Sequence, residues 1–109
     1  MTKKSNFFEG SGNVYADLGL PDADEMLAKA NLAVEIIRVM KKRKLTQQKA
    51  AKLLGTTQAK ISDVVRGQFR SFTIDRLLKM LVDLDQDVEI SYKPKPRSRD
   101  HATLTVHPV

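Results

Sequence analysis

Residues 45–67 constrain this 109-residue chain more than any other stretch. Gly55 and Gly67 each close a short amphipathic run, and each run opens on a threonine, Thr46 or Thr57. A threonine hydroxyl accepts from a backbone N–H that the first turn of a helix leaves unpaired. A left-handed residue at a helix C-terminus is cheapest as glycine. The pattern therefore predicts two short helices joined by a tight reversal. The first turns Ala50, Ala51 and Leu54 inward, and the second Ile61, Val64 and Val65. Ala51 is small enough for two backbones to meet at a steep angle. Ile61 anchors the second helix one turn in and leaves its opposite face free.

Helical periodicity extends on both sides. Pro21 presets a helical φ, and Asp22 with Glu25 three residues on has the pattern of a capping box. From there to Arg43, the apolar residues Leu27, Ala30, Val34 and Ile37 recur at intervals of three and four and mark a buried face, which Met40 extends. Lys41 to Lys44 close this helix, where positive charge suits the C-terminal dipole. After a connector over 68–72, Thr73 caps a fourth helix with Ile74, Leu77, Leu78 and Leu81 inside. The period then changes: Val88, Ile90 and Tyr92 alternate with Glu89, Ser91 and Lys93, as in a short strand. Hydrophobic residues make up 41% of the chain and aromatics 6%, which supports a core of packed aliphatic helices. The expected fold is all-α, a compact bundle of four to five helices with a short C-terminal β-strand.

Three regions follow from composition. Residues 1–20, with Gly10, Gly12 and Gly19 among polar residues, read as an arm; its Val14, Tyr15, Leu18 and Leu20 can dock onto a helix. Residues 21–93 form the domain. Residues 94–109, opening on Pro94, Pro96, Arg97 and Arg99, read as a flexible tail, and a weak second strand at Thr103–Val106 is the less favoured alternative. No internal repeat is present.

The formal net charge is +6, which favours a polyanionic partner. Between Lys41 and Arg70 only Asp63 opposes the basic residues. A membrane surface fits poorly, because the basic residues fall on several short helices and not on one long amphipathic face. No apolar run reaches membrane-spanning length, no signal core follows Met1, and a cytoplasmic protein is expected. With no cysteine, neither disulfides nor a zinc finger holds the fold. His101 and His107 both lie in the tail and read as solvated; no metal-ligand spacing or phosphate-binding glycine loop is found. The chain reads as a non-enzyme without a cofactor.

Leu45-Thr46-Gln47, Ala51, Gly55, Thr57, Ile61 and Arg66-Gly67 together resemble the helix-turn-helix of the Cro/lambda-repressor-like, or XRE, family. The likeness is close over 45–67 and looser over 27–84. Ala50 departs from it, standing where the family often carries a larger apolar residue. The flanks, Asn13 to Pro21 and Leu84 to Ile90, resemble the HigA-type antitoxins. That likeness implies a RelE/HigB-like toxin as partner and repression of a shared operon.

In a helix-turn-helix the N-terminal part of the second helix faces base edges in the major groove. This places Gln58, Ala59 and Lys60 as base readers, with Ser62 and Asp63 slightly further along. A glutamine amide can bond adenine, a lysine guanine, and an alanine methyl the methyl of thymine. Asp63 has two readings: acceptor from cytosine, or partner of a neighbouring basic side chain. Gln47, Thr56, Thr57, Arg66 and Arg70 are the phosphate candidates. Lys41 to Lys44 have two readings of equal weight: direct contact with DNA, or for much of the run a solvated helix end.

One such head reads few bases, so a homodimer on an inverted repeat is expected, with half-sites about 34 Å apart or a multiple of that. Two surfaces can make it: apolar residues of the fourth helix, or antiparallel pairing of Val88, Ile90 and Tyr92 across a twofold axis. Acids cluster at Asp17, Asp22, Asp24 and Glu25, and again at Asp83, Asp85, Asp87 and Glu89. The second cluster is the main candidate for holding a basic toxin, with Phe7, Phe8 or Tyr15 as apolar anchors. A stand-alone phage- or plasmid-type repressor is the alternative function. RNA or ribosome binding fits the charge but gives no reason for the turn.

Overall fold

The expected threonines cap three helices in the computed structural model, which describes residues 16, 18, 19 and 22–108. Thr46 Oγ1 accepts from Lys49 N at 3.1 Å, Thr57 Oγ1 from Lys60 N at 3.2 Å, and Thr73 Oγ1 from Arg76 N at 3.3 Å. Over residues 22–108 four helices follow one another: α1 (Ala23–Lys42), α2 (Gln47–Leu54), α3 (Gln58–Val65) and α4 (Ile74–Asp83). Most of the arm, including Phe7, Phe8, Gly10, Gly12, Val14, Tyr15, Asp17 and Leu20, lies outside the described residues, as does Pro21.

All four helices end in the same way. A residue with positive φ closes each: Gly55 (66°) at the cap itself, and Lys44 (56°), Gly67 (80°) and Asp85 (66°) just after it. The next amide reaches back five residues: Leu45 N to Met40 O, Thr56 N to Ala51 O, Gln68 N to Asp63 O and Gln86 N to Leu81 O. This is the Schellman arrangement, which satisfies carbonyls the helix leaves open. Only the two glycine examples were readable as helix ends from residue type. Lys44 and Asp85 adopt the same conformation at a steric cost.

The start of α1 differs from expectation. Asp22 is the N-cap residue, yet its side chain makes no capping bond. Its carboxylate instead accepts from Arg70 Nη2 at 3.4 and 3.5 Å, and Glu25 pairs with Lys29 at 3.2 Å. The capping box is therefore absent, because both acids find cationic partners.

The buried face of α1 is also rotated from the expected one. Met26, Lys29, Ala33, Ile36 and Met40 carry the helical repeat inward, whereas Val34 is 51% exposed and Leu27, Ala30 and Ile37 are only half-buried. Two apolar stripes with the same spacing run along this helix, so periodicity alone could not choose between them. α1 packs chiefly on α4 and α2 on α3. Ile36, Ile61, Leu77 and Leu84 are wholly buried where these helices meet. Ala50 is wholly buried too, so its small side chain leaves no exposed gap. Val65, expected inside, is instead 37% exposed at the end of α3, where Ile61 and Val64 take the buried face.

The connector contributes more than a link. Phe69 and Phe72 are both buried, closing the core between α3 and α4. Among the described residues the all-α class holds, but residues 86–96 form no strand. Val88 packs partly buried against the core, while Ile90 and Tyr92 are 81% and 98% exposed. Alternation reports a period of two, but a strand also needs a neighbouring backbone to pair with, and residues 88–92 form no such pairing among the described residues. Further along, Val106 lies against the core.

Candidate nucleic-acid interface

The reversal between α2 and α3 is built from the residues that the sequence pattern singles out. Ala51 is buried where the two helices meet, Gly55 turns the chain, and Ile61 is wholly buried beneath α3. A Cβ added at Gly55 meets nothing within 4 Å, so the position favours glycine for its backbone conformation and not for space. Locking Ile61 and Val64 inward fixes the rotation of α3. Gln58, Ala59 and Lys60 are consequently exposed in its first turn, and Ser62 and Asp63 are half-buried at its flank.

The candidate phosphate contacts lie at the start of α2, in the reversal, at the end of α3 and in the connector. Gln47 is the first residue of α2, half-buried beside amides that the Thr46 cap leaves open. Thr56 is half-buried and Thr57 exposed in the reversal. The Thr57 hydroxyl accepts from Lys60 N and keeps its own proton for donation outward. Arg66 and Arg70 are exposed but already engaged. Arg66 Nη2 donates to Asp63 Oδ1 at 2.9 Å, and its Nε donates to Ser62 Oγ at 3.2 Å. Asp63 is thus paired with a neighbouring cation in the free chain. Its charge is offset there, and it orients Arg66 along the flank of α3.

Two features of this region had no sequence-level counterpart. Lys29 is a buried cation: its Nζ donates to the Arg70 carbonyl at 2.9 Å while pairing with Glu25. Together with the Asp22–Arg70 contact, it ties the start of α1 to the connector behind α3. A lysine on an amphipathic helix is ordinarily solvent-facing, so no local signal marked it. The second feature is Phe72, whose ring lies 5.9 Å from Lys60 Nζ and 5.2 Å from Arg76 Cζ. The spacing of Phe69 and Phe72, one helical turn apart between Gly67 and Thr73, was the available sign that the connector is packed.

The acidic cluster after α4 is partly neutralised within the chain. Asp83 pairs with Lys79 at 3.0 Å, and Asp85 lies 3.7 Å from Arg43. Asp87 and Glu89 are exposed. Among the described residues no group of acids, histidines or cysteines is arranged to hold a metal ion, and no helix is long and apolar enough to cross a membrane.

A family model described as a helix-turn-helix domain matches residues 14–93. Among solved structures, a chain described as an XRE-family transcriptional regulator is similar at 39% identity with a TM-score of 0.76. The match covers 82% of this chain and 100% of that one. No curated protein matches.

Proposed function

This chain belongs to the helix-turn-helix domain family and is of the XRE type, a DNA-binding transcriptional regulator, and we propose that it represses its own operon as an antitoxin. The observation that carries the DNA-binding part is the orientation of α3. Its buried Ile61 and Val64 leave Gln58, Ala59 and Lys60 exposed together at the helix start. In this family's docking geometry, that end of the helix meets base edges. Gln47, Thr56, Thr57, Arg66 and Arg70 hold the flanking phosphates.

The repressor acts as a homodimer on an inverted repeat. Ile90 and Tyr92, exposed with no strand partner among the described residues, supply a surface that pairing with a second copy would cover. The antitoxin part rests on the resemblance of the flanks and on charge distribution. Asp83 ends α4 and Asp85, Asp87 and Glu89 follow it, while the basic residues concentrate between 41 and 70. An acidic surface of this kind complements the basic face of a RelE/HigB-like toxin and speeds encounter. Co-expression with the product of the neighbouring small reading frame tests this reading. A stable complex that relieves growth arrest is the expected result. An absence of both complex and toxicity, with operator binding intact, would leave a stand-alone repressor.

A further inference from the structure

Most of the arginines that belong to helices or the connector are paired with an acid: Arg38 with Glu35, Arg43 with Asp85, Arg66 with Asp63 and Arg70 with Asp22. Arg76, in the first turn of α4, has no acidic partner among the described residues, and neither has Lys60 on α3. Both sit against the same Phe72 ring, so their positive centres can lie no further apart than the two ring distances combined, 5.9 and 5.2 Å. Two unneutralised cations held this way repel each other. The arrangement is relieved by an anion placed within reach of both.

The nearby acid does not supply it. Asp75, the acid next to Arg76 in sequence, forms an ion pair with neither cation among the described residues, and its carboxyl is held below the ordinary aspartate value chiefly by the Thr73 hydroxyl. Phe72 is itself buried, which fixes the platform that both cations rest on. An arginine already stacked on a ring loses less freedom when it binds than a free one does. Arg76 belongs to α4 and not to the helix that enters the groove. An element beside that helix meets the sugar-phosphate backbone before any base edge.

We propose that Arg76 is a DNA phosphate-contacting residue, set alongside Lys60 by Phe72, which acts as the positioning residue. The proposal rests on the DNA-reading function above and adds α4 to the surface that meets the duplex. Its mark is electrostatic. Each phosphate neutralised on duplex DNA contributes about 0.9 to the slope of log binding constant against log salt concentration.

The test uses the full chain and a duplex it selects from a random pool, titrated at several salt concentrations. Arg76→Gln is compared with Lys79→Gln, which removes the same charge one turn along α4 from an exposed, Asp83-paired position. We expect Arg76→Gln to weaken binding and to reduce the salt slope by about 0.9. Lys79→Gln leaves the slope at the native value, and both variants keep the native urea midpoint. An unchanged slope for Arg76→Gln, or an equal reduction for Lys79→Gln, overturns the proposal while leaving the function intact. If the native chain selects and binds no duplex, the function and this proposal fall together.

Discussion

At Gly55 a single dihedral angle decides whether the reading helix is set correctly. With φ at 66° and open space around a would-be Cβ, Gly55→Ala adds no clash but forces a left-handed alanine, at a cost of about 1–2 kcal/mol. Lys44 occupies the same conformation with φ at 56° and bears that cost already. Lys44→Gly is therefore expected to stabilise the fold by roughly 0.5–1 kcal/mol, less than the full steric relief because glycine gives the unfolded chain more freedom. Urea denaturation of the two variants checks both signs together. Asp75 gives a pH-dependent counterpart. The Thr73 hydroxyl holds its carboxyl below the usual aspartate value, helped by backbone N–H groups at the helix start and opposed by slight desolvation. A lowered native value means that the contribution is full above the ordinary aspartate range and is lost as pH falls through the native one. The stability difference between the native chain and Asp75→Ala is expected to be present at neutral pH and to vanish in strong acid, as read by urea midpoints across that window.

Among the elements, α3 depends most on what lies beneath it. Ile61 is wholly buried, and Ile61→Ala is expected to cost about 2–5 kcal/mol. Thr57→Ala removes the cap, along with a proposed phosphate contact, and is expected to cost about 1 kcal/mol of stability. Thermal unfolding distinguishes the two, and the DNA affinity of Ile61→Ala, at a temperature where it is folded, reads the effect on helix placement. The order of the helices, their caps at Thr46, Thr57 and Thr73, and the turn at Gly55 were all legible in the sequence. Each depends on residue type within three or four positions, where local chemistry decides. The phase of α1 was not legible, because Leu27, Ala30, Val34 and Ile37 offer a stripe as regular as the one that packs. What α1 buries is settled by α4, more than thirty residues away. The expected strand failed for a related reason: Val88, Ile90 and Tyr92 carry the period of a strand but pair with no backbone among the described residues. The exposed positions of α3 were legible once Ile61 was recognised as its anchor. The Phe72 platform and buried Lys29 were not, since both arise from contacts between distant elements.

Across the whole molecule, charge and apolar exposure divide the surface into different tasks. The basic residues are concentrated in the 41–70 segment that contains α3, while the acids from Asp83 onward are only partly neutralised, by Lys79 and Arg43. Exposed pairs of this kind contribute little to stability, about 0–1 kcal/mol. Reversing Asp83, Asp85 and Asp87 to lysine should therefore leave the fold and duplex affinity in place while abolishing toxin capture in co-purification. Capture that survives the reversals excludes this surface. Ile90 and Tyr92 bear on assembly. Ile90→Lys with Tyr92→Lys is expected to shift the chain from dimer to monomer in sedimentation, and to weaken binding to a two-half-site duplex far more than to a single half-site. The central claim is that the start of α3 reads base edges in duplex DNA. It is tested most directly by measuring, at one fixed salt concentration, the affinity of the native chain and of Gln58→Ala for a selected duplex, its single-base variants and a structured RNA. The native chain is predicted to lose about 1–3 kcal/mol at one base pair that Gln58→Ala no longer distinguishes, and to bind the RNA only weakly. Equal affinity for every duplex and for the RNA, unchanged by Gln58→Ala, would contradict it.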